Sequence, residues 1–233
     1  MFFTIQLFPY LSKALEKRQG LGYNEDMVIS WFGLSSFKIS SGPLTLITDP
    51  FSKNTGLTPP RGQTDIVVIS NSESDLYNNR EAVGDEKTFV VDSPGEYDVK
   101  GLFIRGVRAN GAAIYSIRLE DIRLGFLGCL KAGELSDAQI EELGDIDVLF
   151  VPVGGKSVSD AEEAVKIVNQ LEPRFVIPMH YAQPGLKITL DKVEGFLKEI
   201  GATSVERRDK FTLKKSELAA SDKTETIILT PQR

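Results

Sequence analysis

Histidine and cysteine are almost missing from this chain: 233 residues contain one of each, His180 and Cys129. A lone cysteine excludes an intramolecular disulfide and fits a reducing, cytoplasmic setting. A lone imidazole excludes any metal site that needs several histidines. No apolar run approaches the ~18 residues that suggest a membrane span, so none is expected. There is no basic surplus either. Against 27 Lys and Arg stand 33 Asp and Glu, interspersed to a net charge of −6, which argues against a nucleic-acid partner. With 41% hydrophobic and 26% charged residues the chain has the balance of an ordinary globular protein, and its length suits one well-cored domain. Partner and oligomeric state stay open, homo-oligomerisation included.

Residues 1–26 read as an extension outside the core domain of 27–233. The stretch Met1 to Phe8 is apolar, but Pro9 interrupts it and the charges Lys13, Lys17 and Arg18 follow it. A secretory signal has the opposite order. Tyr10 to Arg18 could form a short amphipathic helix, and Met27 could equally be the original start, since it heads the first strand-like run.

β-Branched and aromatic residues cluster at 27–32, 36–40, 44–48, 66–70, 88–92, 102–107, 113–118 and 121–127, mostly divided by Gly, Pro, Asp or Asn. Ser41-Gly42-Pro43 divides two of these runs into a hairpin. Ile66 to Ile69 is continuously apolar, as in a strand covered on both faces. The second half alternates. Helices are expected at 136–143, with Ser136 and Gln139 as a capping box, at 159–171 and at 189–200. Strands are expected at 147–151, 174–178, 204–208, 210–214 and 224–230. Such an order predicts one layered α/β domain with both sheet faces covered.

Three segments, Trp31-Phe-Gly-Leu-Ser-Ser-Phe-Lys38, Thr48-Asp-Pro-Phe51 and Asp65-Ile-Val-Val-Ile-Ser70, resemble the opening of metallo-β-lactamase-fold proteins. The likeness is nearest to a prokaryotic group called Zn-dependent hydrolases of the β-lactamase fold. It continues through Ser93-Pro-Gly-Glu-Tyr97, Asp147 to Gly155 and Val176-Ile-Pro-Met-His-Tyr181, in order, over about 27–230. The resemblance implies a single-domain, four-layer αββα sandwich with any active site at one edge of its two sheets.

Active members of that family hold one or two metal ions, usually zinc, through His-x-His-x-Asp-His and further ligands. The metal lowers the pKa of its bound water to about 7. Carried onto this chain, the first motif falls on Asn71-Ser-Glu-Ser-Asp-Leu76. Asn71 and Glu73 replace the first two histidines, Leu76 replaces the last, and Asp75 survives. The bridging carboxylate falls on Cys129, the next histidine is lost with a shortened 107–111 loop, and the final histidine persists as His180.

These losses predict a non-catalytic pseudoenzyme, a binding or assembly module with no metal cofactor. Two rivals stand beside it. One is a hydrolase with a single zinc at Glu73, Asp75, Cys129 and His180, whose O, O, S and N donors match a four-ligand site. The other is a small-molecule-binding protein using the emptied cleft. Asp75 and His180 could also act as an acid/base pair, and Cys129 as a nucleophile with His180 as its base. Asp49, ahead of Pro50, reads as a turn residue. Ser35 and Ser36 lack the closing glycine of a nucleophile elbow.

Overall fold

The computed structural model describes residues 26–202, 204–218 and 223–232. The expectations for the N-terminal extension lie outside these residues.

Two sheets face each other. The first runs β13-β1-β2-β3-β4-β5, from β1 (Met27–Gly33), β2 (Ser36–Ser41), β3 (Leu44–Thr48), β4 (Ile66–Val68), β5 (Phe89–Val91) and β13 (Phe211–Leu213). The second runs β14-β11-β10-β9-β8-β7-β6. Its strands are β6 (Gly95–Val99), β7 (Leu102–Ala109), β8 (Ala112–Leu119), β9 (Ile122–Phe126), β10 (Val148–Pro152), β11 (Phe175–Met179) and β14 (Glu225–Thr226). A short parallel pair, β12 (Arg207–Arg208) with β15 (Ile228–Leu229), completes the strands. The hairpin expected around Gly42 is β2–β3, whose register pairs Ser41 with Leu44.

Period-two alternation drives the core. In β1 the buried Met27, Ile29 and Trp31 share one continuous cluster with the second sheet's Tyr115, Phe126 and Phe150. That single cluster makes the chain one domain. The apolar run of β4 is buried throughout, as a doubly covered strand should be. Ile66 and Val68 join the main core, while Val67 and Ile69 pack outward with Ile47 and Val83. The outer cover at this cluster is the stretch around a 3-10 turn at Arg80–Ala82.

Helices cover the second sheet. α1 (Asp137–Leu143) carries the expected capping box, with Ser136 and Gln139 each satisfying the other's backbone N–H. α2 (Ala161–Leu171) uses Asp160 and Glu163 in the same way and packs on β10 through Ala164, Ile167, Val168 and Leu171. α3 (Val193–Glu199) begins four residues after the expected 189, because Ala182 N–H bonds Asp191 O and Asp191 N–H bonds Gly154 O, holding the chain extended there. The last helix is the single turn α4 (Lys215–Leu218). Strand β6 was not expected. Its Gly-Glu-Tyr-Asp-Val forms a sheet edge on which only Tyr97 and Val99, alternating with exposed Glu96 and Asp98, pack on the core, too short a stripe to stand out in the sequence. No helix among the described residues is long and apolar enough to cross a membrane.

Candidate functional site at the strand ends

β3, β4 and β5 run parallel, as do β9, β10 and β11. The carboxyl ends of parallel strands are where α/β sheets usually place their chemistry. Here those ends bear Asp49 after β3, Ser70 after β4, Gly128-Cys129 after β9, Gly154 after β10 and His180 after β11.

Asp49 is fully buried, at positive φ (34°), with its N–H bonded to Val68 O. Its Oδ1 accepts from Ser70 N–H at 2.6 Å. Its Oδ2 accepts from the hydroxyls of Ser35 and Ser70, both at 2.7 Å. Burial nevertheless outweighs the three donors and pushes this carboxyl up to about 7. The turn conformation read from the sequence is present, but the side chain has a larger role: it ties the end of β4 to the β1–β2 turn. Its partners are 14 and 21 residues away, so only the family pattern around Thr48-Asp-Pro-Phe could have flagged it.

Ser70 leads to the third member. Its Oγ accepts from Cys129 N–H at 3.2 Å and lies 3.6 Å from Cys129 Sγ. The approach requires glycine before the cysteine. Gly128 sits at φ 52°, and a Cβ there would fall 2.1 Å from Ser70 Cβ. Burial, then the nearby Asp49 carboxyl, pushes the Cys129 thiol up to about 11. A thiol so raised is a poor nucleophile at neutral pH, which counts against its reading as one.

The loop after Ser70 folds on its own polar groups. Asn71 Oδ1 accepts from Glu73 N–H at 3.0 Å, Ser74 Oγ from Leu76 N–H, and Asn78 Nδ2 donates to Ser72 O. This turn leaves Glu73 and Asp75 exposed and Leu76 half-buried, while Tyr77 is buried with its ring 5.7 Å from that of His180. His180 itself is fully buried at φ 54°, its N–H bonded to Leu34 O at 3.0 Å. Neither ring nitrogen has a partner among the described residues, and burial pulls the imidazole down to about 4.

The four candidate ligands are therefore not gathered. Among the described residues no three of His, Cys, Asp and Glu are grouped so as to hold a metal. Glu73 and Asp75 stay on the exposed turn, so the Asp75–His180 pairing has no support either. What converges instead is Asp49, Ser35, Ser70 and Cys129, with Tyr77 placed against His180. A hollow of about 1070 Å³ among the described residues, lined by Val168, Glu172, Ile200, Arg208 and Glu225, includes none of these groups.

The fold and this strand-end site define the class. Residues 28–180 match the family described as the β-lactamase superfamily domain, and the chain belongs to that family. Its relatives include a UPF0173 protein of Pyrococcus abyssi, 25% identical over 197 residues, 75% of this chain and 90% of that protein. A UPF0173 metal-dependent hydrolase of Methanocaldococcus jannaschii is 24% identical over 213 residues, 77% of this chain and 94% of the relative. Among solved structures, a Thermotoga maritima protein described as a candidate Zn-dependent hydrolase of the metallo-β-lactamase superfamily superposes with a TM-score of 0.72. It is 32% identical, with 87% of this chain and 98% of that one covered. These names overturn the pseudoenzyme reading, which weighed lost ligands alone: the chain's relatives are described as metal-dependent hydrolases.

Proposed function

We propose that the chain is a hydrolase acting at the edge of the sandwich around His180. One observation carries this reading. The only histidine, at the end of the family match, is fully buried beside Tyr77, and among the described residues both its ring nitrogens are unpartnered. A buried polar group without a protein partner is costly and calls for an explanation, of which a role in catalysis is one.

The relatives' names imply a metal, and the described side chains do not fit one as they stand. Asp49 already accepts three hydrogen bonds, Glu73 and Asp75 face solvent, and His180 is the sole imidazole. The hydrolytic reading therefore rests on the chain's own groups. His180 is neutral at pH 7. It can take a proton from a water attacking a carbonyl or phosphoryl centre and return it to the leaving group only once the wall at Tyr77 moves to admit that water, and burial keeps it a weak base until then. Asp49 fixes Ser70, from which the loop to Tyr77 departs, and so positions the wall against which the imidazole rests.

The test is turnover of ester, phosphodiester and amide substrates by the purified chain, as isolated and with added zinc or manganese, alongside His180→Ala. Turnover should fall at least about 100-fold in the variant. Equal rates in both proteins, or none in either under all conditions, would reject the reading.

A further inference from the structure

His180 is sealed from solvent, so water or substrate reaches its ring only if one of its walls gives way, and the walls are unequal. Leu34, fully buried in the β1–β2 turn, takes the His180 N–H on its carbonyl at 3.0 Å. Gly154, after β10, packs so closely on the His180 backbone that a Cβ there would fall 2.0 Å from His180 O. Both belong to the sandwich itself. The third neighbour is Tyr77, whose ring centroid stands 5.7 Å from that of the imidazole with the planes at 34°. Its hydroxyl makes no hydrogen bond among the described residues, so packing alone holds the ring there.

The loop that carries Tyr77 is bonded mainly to itself. Of residues 71–79, Tyr77 alone is buried. Asn71 Oδ1 accepts from Glu73 N–H, Ser74 Oγ from Leu76 N–H, Ser74 O from Tyr77 N–H, and Ser72 O from Asn78 Nδ2. Both ends of the loop are fixed to one short segment, Asp49 to Phe51. Ser70 is tied to Asp49, and Asn79 gives its N–H to Pro50 O at 2.7 Å and its Nδ2 to Phe51 O at 3.0 Å. At the root, Asn71 also lies against the Cys129 thiol. Close ends and a body packed on its own polar groups are the build of an Ω-loop, which can open locally while its base stays folded. Closure also leaves polar atoms dry. Among the described residues Asn78 Oδ1, beside Tyr77, and both His180 ring nitrogens are sealed without a partner. Hydration regained on opening offsets the apolar burial that Tyr77 gives up.

We propose that Tyr77 is the gate of the hydrolytic site: the 71–78 loop swings out on its anchors at Ser70 and Asn79, lifts the phenol ring off His180 and admits water and substrate. The proposal rests on the hydrolase reading for what the opening serves. Closed, the loop keeps the imidazole dry and idle. Open, it leaves the anchors, and with them the end of β4, in place.

The experiment labels the untagged full chain at neutral pH with diethyl pyrocarbonate, which carbethoxylates accessible neutral imidazoles. Ultraviolet absorbance follows the product, hydroxylamine reverses it, and one histidine gives one signal. Tyr77→Ala should label at least about tenfold faster than wild type, and Tyr77→Phe, which keeps the ring, at the wild-type rate. Asn79→Ala frees the Phe51 anchor with Tyr77 still in place and should label about fivefold faster. It also serves as the second variant should Tyr77→Ala not fold. Low urea separates the gate from unfolding: the wild-type rate should stay flat below the unfolding transition, because a local opening exposes little surface. Four results would each overturn the proposal. These are wild type labelling as fast as free N-acetylhistidine, both Tyr77→Ala and Asn79→Ala labelling no faster than wild type, Tyr77→Phe labelling as fast as Tyr77→Ala, and a wild-type rate that climbs with urea in step with global unfolding. None of these readouts needs turnover. Gated labelling without hydrolysis would reject the hydrolase reading alone, and hydrolysis with labelling indifferent to Tyr77 and Asn79 would reject the gate alone.

Discussion

Asp49 and His180 are equally buried at the same edge of the sandwich, and their surroundings are opposite. Asp49 has three donors on its two oxygens, whereas His180 has no partner on its two ring nitrogens among the described residues. A buried group with every bond made is part of the scaffold. One with no bond made contributes little to the scaffold and is free for a ligand. The difference separates what builds this site from what it is built for.

The strongest way to break the comparison is to remove the carboxylate. Asp49→Ala strands Ser70 N–H, which cannot rotate away, and leaves two buried hydroxyls to find new partners. The loss should be about 4 kcal/mol in urea unfolding, with wild-type secondary structure retained at zero denaturant. A loss below about 1 kcal/mol would mean that the Ser35–Asp49–Ser70 tie is not what joins β4 to the β1–β2 turn.

The pH dependence sharpens the same contrast, since the two shifts have opposite signs. Asp49 rises from 3.8 to about 7, so the native state holds a proton there that the unfolded chain has released. Its contribution is full below about pH 4 and is lost as pH rises through 7. His180 falls from 6.5 to about 4, so its contribution is full above pH 6.5 and is lost as pH falls through 4. In wild type the two slopes largely cancel between pH 4 and 6.5. In Asp49→Asn only the histidine slope remains, and stability relative to wild type should drop by roughly 3 kcal/mol on acidification across that window. In His180→Leu the carboxyl slope remains and the relative change should be a gain of similar size. Parallel curves for all three proteins in urea titrations from pH 4.5 to 7.5 would refute both assignments.

A smaller effect tests the backbone beneath the scaffold half. Gly128→Ala places a methyl 2.1 Å from Ser70 Cβ at φ 52°, and should push Ser70 off Asp49. About 2 kcal/mol of destabilisation is expected by chemical denaturation, and a neutral result would show that Ser70 can shift without cost.

Much of the scaffold half was legible in the sequence, and little of the chemical half. The apolar run at 66–69, the hairpin at Gly42 and the capping box at Ser136 are local signals, and each forms as read. The late start of α3 was hidden because bonds to Gly154 and Ala182, remote in sequence, hold Asp191 extended. The site was misjudged for a related reason. Ligand positions carried over by motif assume that side chains in matching places point inward. Here Asn71 caps its own turn, which holds Glu73 and Asp75 outward. Asp49 was visible as a residue type, but its partners come together only in three dimensions. His180 stood out in the sequence by its rarity, while its lack of partners among the described residues is a property of the fold.

The smallest expected effect falls on the most conspicuous residue. His180→Leu replaces an imidazole whose polar atoms are unpaired by an apolar side chain of similar reach. Removing two unsatisfied nitrogens should gain stability, and the positive φ of 54°, which leucine tolerates less well than histidine, should take some of it back. The net change at pH 7 should stay within about 1 kcal/mol of wild type, against about 4 for Asp49→Ala. Unfolding of both variants under one set of conditions decides the matter. If His180→Leu proves as damaging as Asp49→Ala, the imidazole has structural partners in solution, and its standing as the group kept free for chemistry is lost. If it leaves stability intact and abolishes hydrolysis, the lone histidine is retained for its reactivity and not for the fold.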